Sequence, residues 1–192
     1  MPEFNLRAQA SKHFSFEQLI LCGETIEKKQ TDNLPKQADS WRALSQLAIK
    51  LLDPLYEQFG QLQLTYGFCS PQLARLIAKN KNPHIAPSLD QHCSHEVNCN
   101  NKIICNRLGA ACDFFIQDKS IHMQVVAKWI SQNLKFDRMY YYGKNSPLHI
   151  SYGPEMNQFL QLMKTHNATK HRSPSFKGRG DKVIQLINEV NY

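Results

Sequence analysis

A stretch with helical periodicity, residues 40–59, constrains the fold of this chain more than any other feature. Its apolar side chains recur every three or four residues, which places them on one buried face of a helix. They are Leu44, Leu47, Ala48, Leu51, Leu52, Leu55 and Phe59. Gly60 then ends the helix, and residues 62–66 alternate between apolar and polar types as in a half-buried strand. The sequence therefore predicts a long helix that leads directly into a strand.

Shorter patterns of the same kind predict most of the remaining elements. Predicted helices cover residues 14–20, 72–79 and 121–134, and predicted strands cover residues 113–116, 140–142 and 148–152. This order of helices and strands is typical of an α+β domain. Two more helices are predicted beyond it, over residues 156–163 and 183–190. We therefore expect one main domain, residues 1–160, and a basic C-terminal extension, residues 161–192.

The bulk composition is that of a globular protein. The chain has 192 residues, of which 42% are hydrophobic and 20% are charged. The first residues lack the pattern of a signal peptide, and no stretch reaches the roughly 18 apolar residues that a membrane helix requires. We therefore expect a protein that starts in the cytoplasm and spans no membrane, and that reaches the outside only by lysis or a dedicated secretion route.

The six cysteines do not form a recognisable zinc-binding or redox motif. No two of them are arranged as Cys-x-x-Cys, and four of them, in residues 93–112, follow one another at intervals of six or seven positions. Because the chain is long and lacks a secretion signal, we expect reduced thiols rather than a disulfide framework.

Positive charge is concentrated near the C-terminus. The formal net charge of the chain is +7, and residues 164–182 contain six basic residues and one acidic residue. Such a stretch is typical of a solvated, partly disordered connector, and it also attracts anionic polymers such as cell-wall components or nucleic acids. It contains one aromatic residue, Phe176, so nucleic-acid binding is the weaker interpretation.

Three short motifs contain the candidate chemistry. Residues 88–92 end in His92, residues 109–113 end in Asp113 after three small residues, and residues 148–151 place His149 inside an apolar strand. A single histidine in a strand is usually a packed or hydrogen-bonded residue. Two imidazoles and a carboxylate together, however, suit a catalytic zinc site, which has three protein ligands and a fourth position for water.

With these motifs the chain resembles the D-alanyl-D-alanine carboxypeptidase family of zinc peptidases, which shares its fold with the signalling domain of Hedgehog proteins. The resemblance covers residues 14–152. The family has a Gly-aromatic-Arg-Ser-Pro turn, here residues 67–71, then Ser-x-His, two residues and Gly-x-Ala-x-Asp, and finally an apolar-His-apolar strand. It implies a small antiparallel sheet with helices packed on it, and a zinc ion bound by His92, Asp113 and His149.

An insertion separates the first two motifs. Residues 93–108 replace the two residues of the family pattern, and their halves around Asn100 and Asn101 predict a β-hairpin. We therefore assign the first zinc ligand to His92 and not to Asn106, which occupies the ungapped position but replaces an imidazole poorly.

Two family residues are missing. The glutamate that serves as general base would fall at Ser146 or near Tyr142, and the arginine of the turn is replaced by Cys69. The catalytic base is therefore unknown from sequence. The available carboxylates are Glu96, Asp137 and Glu155, and the arginines that could bind a substrate carboxylate are Arg75 and Arg107, of which we prefer Arg107.

The resemblance predicts a zinc-dependent hydrolase of D,D-carboxypeptidase or endopeptidase type that acts on peptidoglycan stem peptides or similar short peptides. Because the base and the arginine are missing, a catalytically inactive, zinc-stabilised binding module of the same fold remains the alternative. Whether the chain is an enzyme is left open by the sequence.

Overall fold

The computed structural model describes residues 5–21, 32–79, 90–166 and 172–190. Its helices are α1 (Phe16–Leu19), α2 (Ala38–Leu47), α3 (Asp53–Phe59), α4 (Pro71–Ile77), α5 (Met123–Asn133) and α6 (Asp181–Glu189), with a π-helical turn at Ala48–Leu52 and a 3-10 turn at Gln91–Cys93. Its strands are β1 (Leu62–Tyr66), β2 (Ala110–Ile116), β3 (Arg138–Tyr141), β4 (Leu148–Tyr152), β5 (Phe159–Thr165) and β6 (Arg172–Arg179). The α+β fold class is confirmed.

The long predicted helix is present as α2, the π-helical turn and α3 in succession. Pro54 has no N–H to donate, and at this point the Asp53 N–H bonds to the carbonyl of Ala48, five residues back. The predicted apolar face packs against the sheet and forms its main core with residues such as Phe114 and Ile150.

The strands form one mixed sheet in the order β1-β2-β4-β3-β5-β6. All neighbouring pairs are antiparallel except β3 and β5, which are parallel. The prediction of a small antiparallel sheet was therefore wrong. The family pattern ends before β5 and β6, and these two strands extend the sheet at one edge.

The predicted helix over residues 156–163 was also wrong, since this stretch leads into β5. Leu160 and Leu162 enter the core, whereas Phe159, Gln161 and Met163 lie on the other face, which is the two-residue period of a strand. The predicted domain boundary between residues 160 and 161 falls inside this strand.

The described part of the basic stretch at residues 164–182 is folded and is not a solvated connector. Residues 172–179 form β6, which pairs with β5 over its length, and α6 begins at Asp181. The predicted terminal helix is present as α6, and its Val183 and Ile187 are buried in the main core.

The two faces of the sheet differ in what they contact. All the described helices except α4 pack on one face, into which β2 and β4 direct Cys112, Phe114, Leu148 and Ile150. The opposite face contains Asp113 and His149 and is called the site face below. Across the described residues, no helix is both long and apolar enough to cross a membrane.

Candidate metal centre

The two candidate ligands on strands are brought together by strand register. Asp113 on β2 lies directly opposite His149 on β4, on the site face. Side chains at opposed positions of an antiparallel pair stand about 5 Å apart, so the two groups meet without any special loop. Asp113 Oδ1 is 2.8 Å from Nδ1 of His149.

The third candidate ligand comes from the turn that covers this face. His92 lies in the 3-10 turn Gln91–Cys93, with its side chain only 3% exposed, and its Nε2 is 3.3 Å from Asp113 Oδ1. Its Nδ1 is 2.8 Å from the Gly67 carbonyl oxygen. Because a carbonyl only accepts, Nδ1 carries the proton, and Nε2 is directed at the cluster as a ligand atom.

The structure thus brings together all three residues that the resemblance implied as ligands. Asn106, the alternative to His92, is exposed in the insertion and lies outside this cluster. The predicted hairpin in the insertion amounts to a single bridge between Val97 and Ile103.

Asp90 is a fourth member of the cluster. Its Oδ1 accepts the N–H of His92 at 3.0 Å and lies 3.9 Å from Nε2 of the same residue. Asp90, His92 and His149 could hold a metal ion, because one ligand atom of each lies within 4.8 Å of the others. Asp90 lies within the motif at residues 88–92, but the sequence pattern assigns it no role. Its position two residues before His92, as the cap of the 3-10 turn, was the available signal.

The donor set fits a zinc ion. Ligand atoms at about 2.0–2.2 Å from a tetrahedral zinc ion lie roughly 3.3 Å from one another. The distance from Asp113 Oδ1 to Nε2 of His92, 3.3 Å, matches that spacing, whereas its distance to Nδ1 of His149, 2.8 Å, is that of a hydrogen bond. Two imidazoles with one or two carboxylates are also the ligand types that zinc takes in catalytic sites.

Charges and hydrogen bonds within the cluster together outweigh the effect of burial on the pKa values of His92 and Asp113. Burial acts most strongly on His92 and would lower its pKa, but Asp90, Asp113 and the Gly67 carbonyl together raise that pKa to about 9. Burial would likewise raise the pKa of Asp113, but the hydrogen bonds and charges of His149 and His92 hold it well below its usual range.

Aromatic rings hold both imidazoles in place. The ring of Tyr140 stacks on His149 with centroids 4.5 Å apart, and the ring of Tyr66 contacts His92 edge-on at 4.8 Å. Tyr140 lies directly opposite His149 on β3, and a bulge in β1 places Tyr66 opposite Asp113. These contacts restrict rotation of the ligand side chains.

Close backbone packing fixes the position of His92. A side chain on Gly67 would overlap the backbone carbonyl of Leu19 at the end of α1, so only glycine allows its carbonyl to reach Nδ1 of His92. A side chain on Gly109, which has φ +84°, would likewise overlap the backbone of Tyr152. Glycine at both positions allows two backbone segments to approach closely.

Buried polar groups anchor the turn that contains His92. The Gln91 side-chain amide donates to the Leu108 carbonyl at 2.8 Å and to Asp137 Oδ2 at 2.9 Å, and it accepts from the Ser151 hydroxyl at 2.9 Å. Ser94 donates to the Gly109 carbonyl at 2.6 Å. The turn is therefore bound to β2, β4 and the start of β3.

The three carboxylates proposed to replace the missing base are engaged or placed elsewhere. Glu96 Oε1 accepts from the backbone N–H groups of Lys36 and Gln37 and from the Ser40 hydroxyl at the start of α2. Asp137 is buried and bound to Asn157 and Gln91. Glu155 is exposed in the turn after β4.

Arg107 and Arg75 occupy different parts of the surface. Arg107 is half-buried at the rim of the cluster, where its charge acts on Tyr140. Burial raises the pKa of that phenol, and Arg107 and Arg138 partly offset the rise. Arg75 lies in α4 and lines a separate cavity with Pro71 and Asn98.

Comparison with known proteins adds no assignment, because no family model, curated protein or solved structure matches this chain.

Proposed function

We propose that this chain is a zinc-dependent, peptidase-like hydrolase that acts on peptidoglycan stem peptides or similar short peptides. The observation that supports the proposal is the convergence of two buried imidazoles and two carboxylates on the site face. A structural histidine needs one partner, whereas this arrangement presents ligand atoms of several side chains to a common point. The sequence motifs lead to His92, Asp113 and His149 of this set, and the structure adds Asp90.

His92 through Nε2, His149 and Asp113 through Oδ1 are the residues that would hold the ion. When bound, zinc acts as a Lewis acid toward a substrate carbonyl and lowers the pKa of water to about 7. The Gly67 carbonyl and the rings of Tyr66 and Tyr140 keep the imidazoles in place whether or not substrate is bound.

Asp90 is our choice for the general base that the sequence lacks at Ser146 and Tyr142. Its carboxylate is 17% exposed and lies 3.9 Å from Nε2 of His92, so it reaches the same space as the ligand atoms but remains accessible. From there it accepts a proton from the attacking water and passes it to the leaving amine. Arg107, whose charge acts on Tyr140 at the rim, is our choice for the residue that would bind a substrate carboxylate.

The test measures metal and turnover on the same preparations. Purified protein is analysed for zinc by mass spectrometry and incubated with peptidoglycan, from which it should release peptide fragments. His149→Ala should lose both zinc and release, whereas the control His122→Ala, an exposed histidine at the start of α5, should keep both. Unchanged release by His149→Ala would contradict the proposal.

The inactive binding module is the second candidate, and the missing glutamate favours it. It predicts bound zinc, strong destabilisation by a chelator and no release of fragments at any enzyme concentration. Release that depends on His149 would exclude it.

A further inference from the structure

The strand pair at the β6 edge of the sheet contains basic side chains and no acidic one. It consists of β5 and β6, residues 159–165 and 172–179, and is called the basic hairpin below. Its charged residues are Lys164, Arg172, Lys177 and Arg179. No aspartate or glutamate occurs in the sequence from 156 to 180. The positive charge that the sequence predicts for a solvated connector therefore lies on a folded strand pair.

The opposite face of the basic hairpin is anchored in the domain. Leu160 and Leu162 of β5 lie in the main core. On β6, a Cβ atom at Gly178 would lie 2.8 Å from Cδ1 of Leu186, so α6 packs closely on this strand. Both strands are therefore packed from behind, and their charged side chains project from a fixed backbone.

Strand register places Lys177 in line with the metal centre. Lys177 on β6 lies opposite Gln161 on β5. Gln161 lies opposite Tyr140 on β3, and Tyr140 lies opposite His149 on β4. Because neighbouring strands are about 4.8 Å apart, Lys177 is about 14 Å from His149 along the site face. The basic hairpin therefore borders the part of the sheet on which a substrate of the metal centre would lie.

Arg179 and Arg172 each contact an aromatic ring. Arg179 lies opposite Phe159, which is itself opposite Arg138. The guanidinium carbon of Arg179 lies 5.7 Å from the centroid of the Phe159 ring, and that of Arg172 lies 4.4 Å from the centroid of the Tyr142 ring. Cation–π contacts orient a guanidinium group without using its N–H donors. Both arginines therefore keep donors for an external anion.

Carboxylates of the protein do not neutralise these charges. Among the described residues, none of the four basic side chains of the hairpin forms an ion pair with an aspartate or glutamate. Arg138 does pair with Asp137 and is not counted as part of this surface. Lys164, Lys177 and Arg179 are exposed. Unpaired like charges on neighbouring strands attract a partner that carries many negative charges.

We infer that the basic hairpin binds a phosphodiester polymer attached to the cell wall, with the polymer lying along β6. From Arg172 to Arg179 the strand extends about 23 Å, which is long enough for several phosphates, whereas a compact anion would contact only part of it. Arginine binds phosphate oxygens through two N–H groups at once, and lysine adds a point charge. The choice of a wall polymer rests on the proposed function, because a peptidoglycan hydrolase meets such polymers beside its substrate.

A single-stranded nucleic acid has a similar charged backbone, but the aromatic rings disfavour it. Its binding uses rings with open faces on which bases stack. The rings of Phe159 and Tyr142 are contacted by arginines. In the described part of the hairpin this leaves Phe176, which is 66% exposed, as the ring available for stacking. A polymer without bases therefore suits this surface better.

The test measures how the zinc-loaded full chain binds insoluble cell walls that carry phosphodiester polymers, and the same walls after hydrofluoric acid has removed those polymers. Wild type should bind the untreated walls at least about tenfold more tightly, and this binding should weaken steeply between about 50 mM and 200 mM salt. Lys177→Gln/Arg179→Gln should lose the preference for untreated walls. The matched control Lys50→Gln/Lys128→Gln removes two exposed charges from the helices on the other face and should bind as wild type does.

Three results would overturn the inference. They are equal binding to both wall preparations, an equal loss of binding in the control and in the hairpin variant, and hairpin-dependent binding that is tighter for a single-stranded DNA oligonucleotide than for a soluble glycerol-phosphate polymer with as many phosphates. Release of peptide fragments from the stripped walls is measured in parallel. If wild type releases no fragments but its polymer binding depends on Lys177 and Arg179, the hydrolase proposal falls and the polymer-binding surface stands. If release is normal but binding does not depend on these residues, the inference falls alone.

Discussion

A substitution at Glu96 tests directly how the insertion, residues 93–108, is bound to the start of α2. Its buried carboxylate accepts three hydrogen bonds at the start of α2: from Lys36 N at 3.0 Å, Gln37 N at 3.2 Å and Ser40 Oγ at 2.9 Å. It therefore acts as a helix cap supplied by a residue some 60 positions away in sequence. Glu96→Ala removes all three interactions at once.

The expected cost follows from these contacts. A charged hydrogen bond contributes about 1.5–3 kcal/mol when buried, but Lys36 is exposed and its N–H can be hydrated in the variant. Adding about 1 kcal/mol for the lost helix cap, we expect Glu96→Ala to lower the free energy of unfolding by about 3 kcal/mol. In a domain of this size that lowers Tm by roughly 6–12 °C. Glu96→Gln keeps an acceptor and should lose about 1 kcal/mol.

Urea unfolding followed by circular dichroism measures the free energies, with Glu155→Ala as the control because Glu155 is exposed. Glu155→Ala should unfold as wild type does. The specific peptide release of Glu96→Ala, measured well below its Tm, should match that of wild type. If Glu96→Ala is as stable as Glu155→Ala, or loses its release while fully folded, Glu96 is not the cap described here.

Three further outcomes are expected. Gly67→Ala should lower the free energy of unfolding by about 3 kcal/mol and reduce bound zinc, because the added methyl group overlaps the backbone at the end of α1. Equal zinc content in Gly67→Ala and wild type would refute this. Asp90→Asn should keep zinc and lose at least about 100-fold in turnover, whereas Asp113→Asn should lose zinc; the reverse pattern would make Asp90 the ligand. At pH 8, exposed Cys99 should react quickly with a thiol reagent. Buried Cys105 should react slowly until the pH rises further, because burial raises the pKa of its thiol and less thiolate is present. An unchanged fast phase in Cys99→Ser would contradict this.

Local patterns were sufficient for most elements because their signals are short-range. Helical periodicity predicted α2 and α3, Ser15 predicted the capped start of α1, and Ser70 with Pro71 predicted α4. Proline interrupts the long helix without ending it, because packing of its apolar face outweighs one lost hydrogen bond. At residues 156–163 a helix was predicted, but the alternation of Leu160 and Leu162 with less buried residues is the pattern of a strand.

The residues of the candidate site were likewise only partly predictable from the sequence. His92, Asp113 and His149 were identified as a set from motif order, and they meet in the structure. Asp90 was missed, because its closeness to Nε2 of His92 depends on the conformation of the turn. Glu96 was considered as a base, and its bonds to residues 36–40 could be seen only once the insertion had been placed.

The sequence by itself determined the fold class, the core-facing side of each long helix and the residue types available to hold a metal ion. Tertiary structure decided the sheet order, the addition of β5 and β6, and the row formed by Arg138, Phe159 and Arg179. The physical reason is that periodicity reports only which side of an element is buried. Strand pairing joins residues far apart in the chain, so which side chains become neighbours across a sheet depends on the packing of the whole domain.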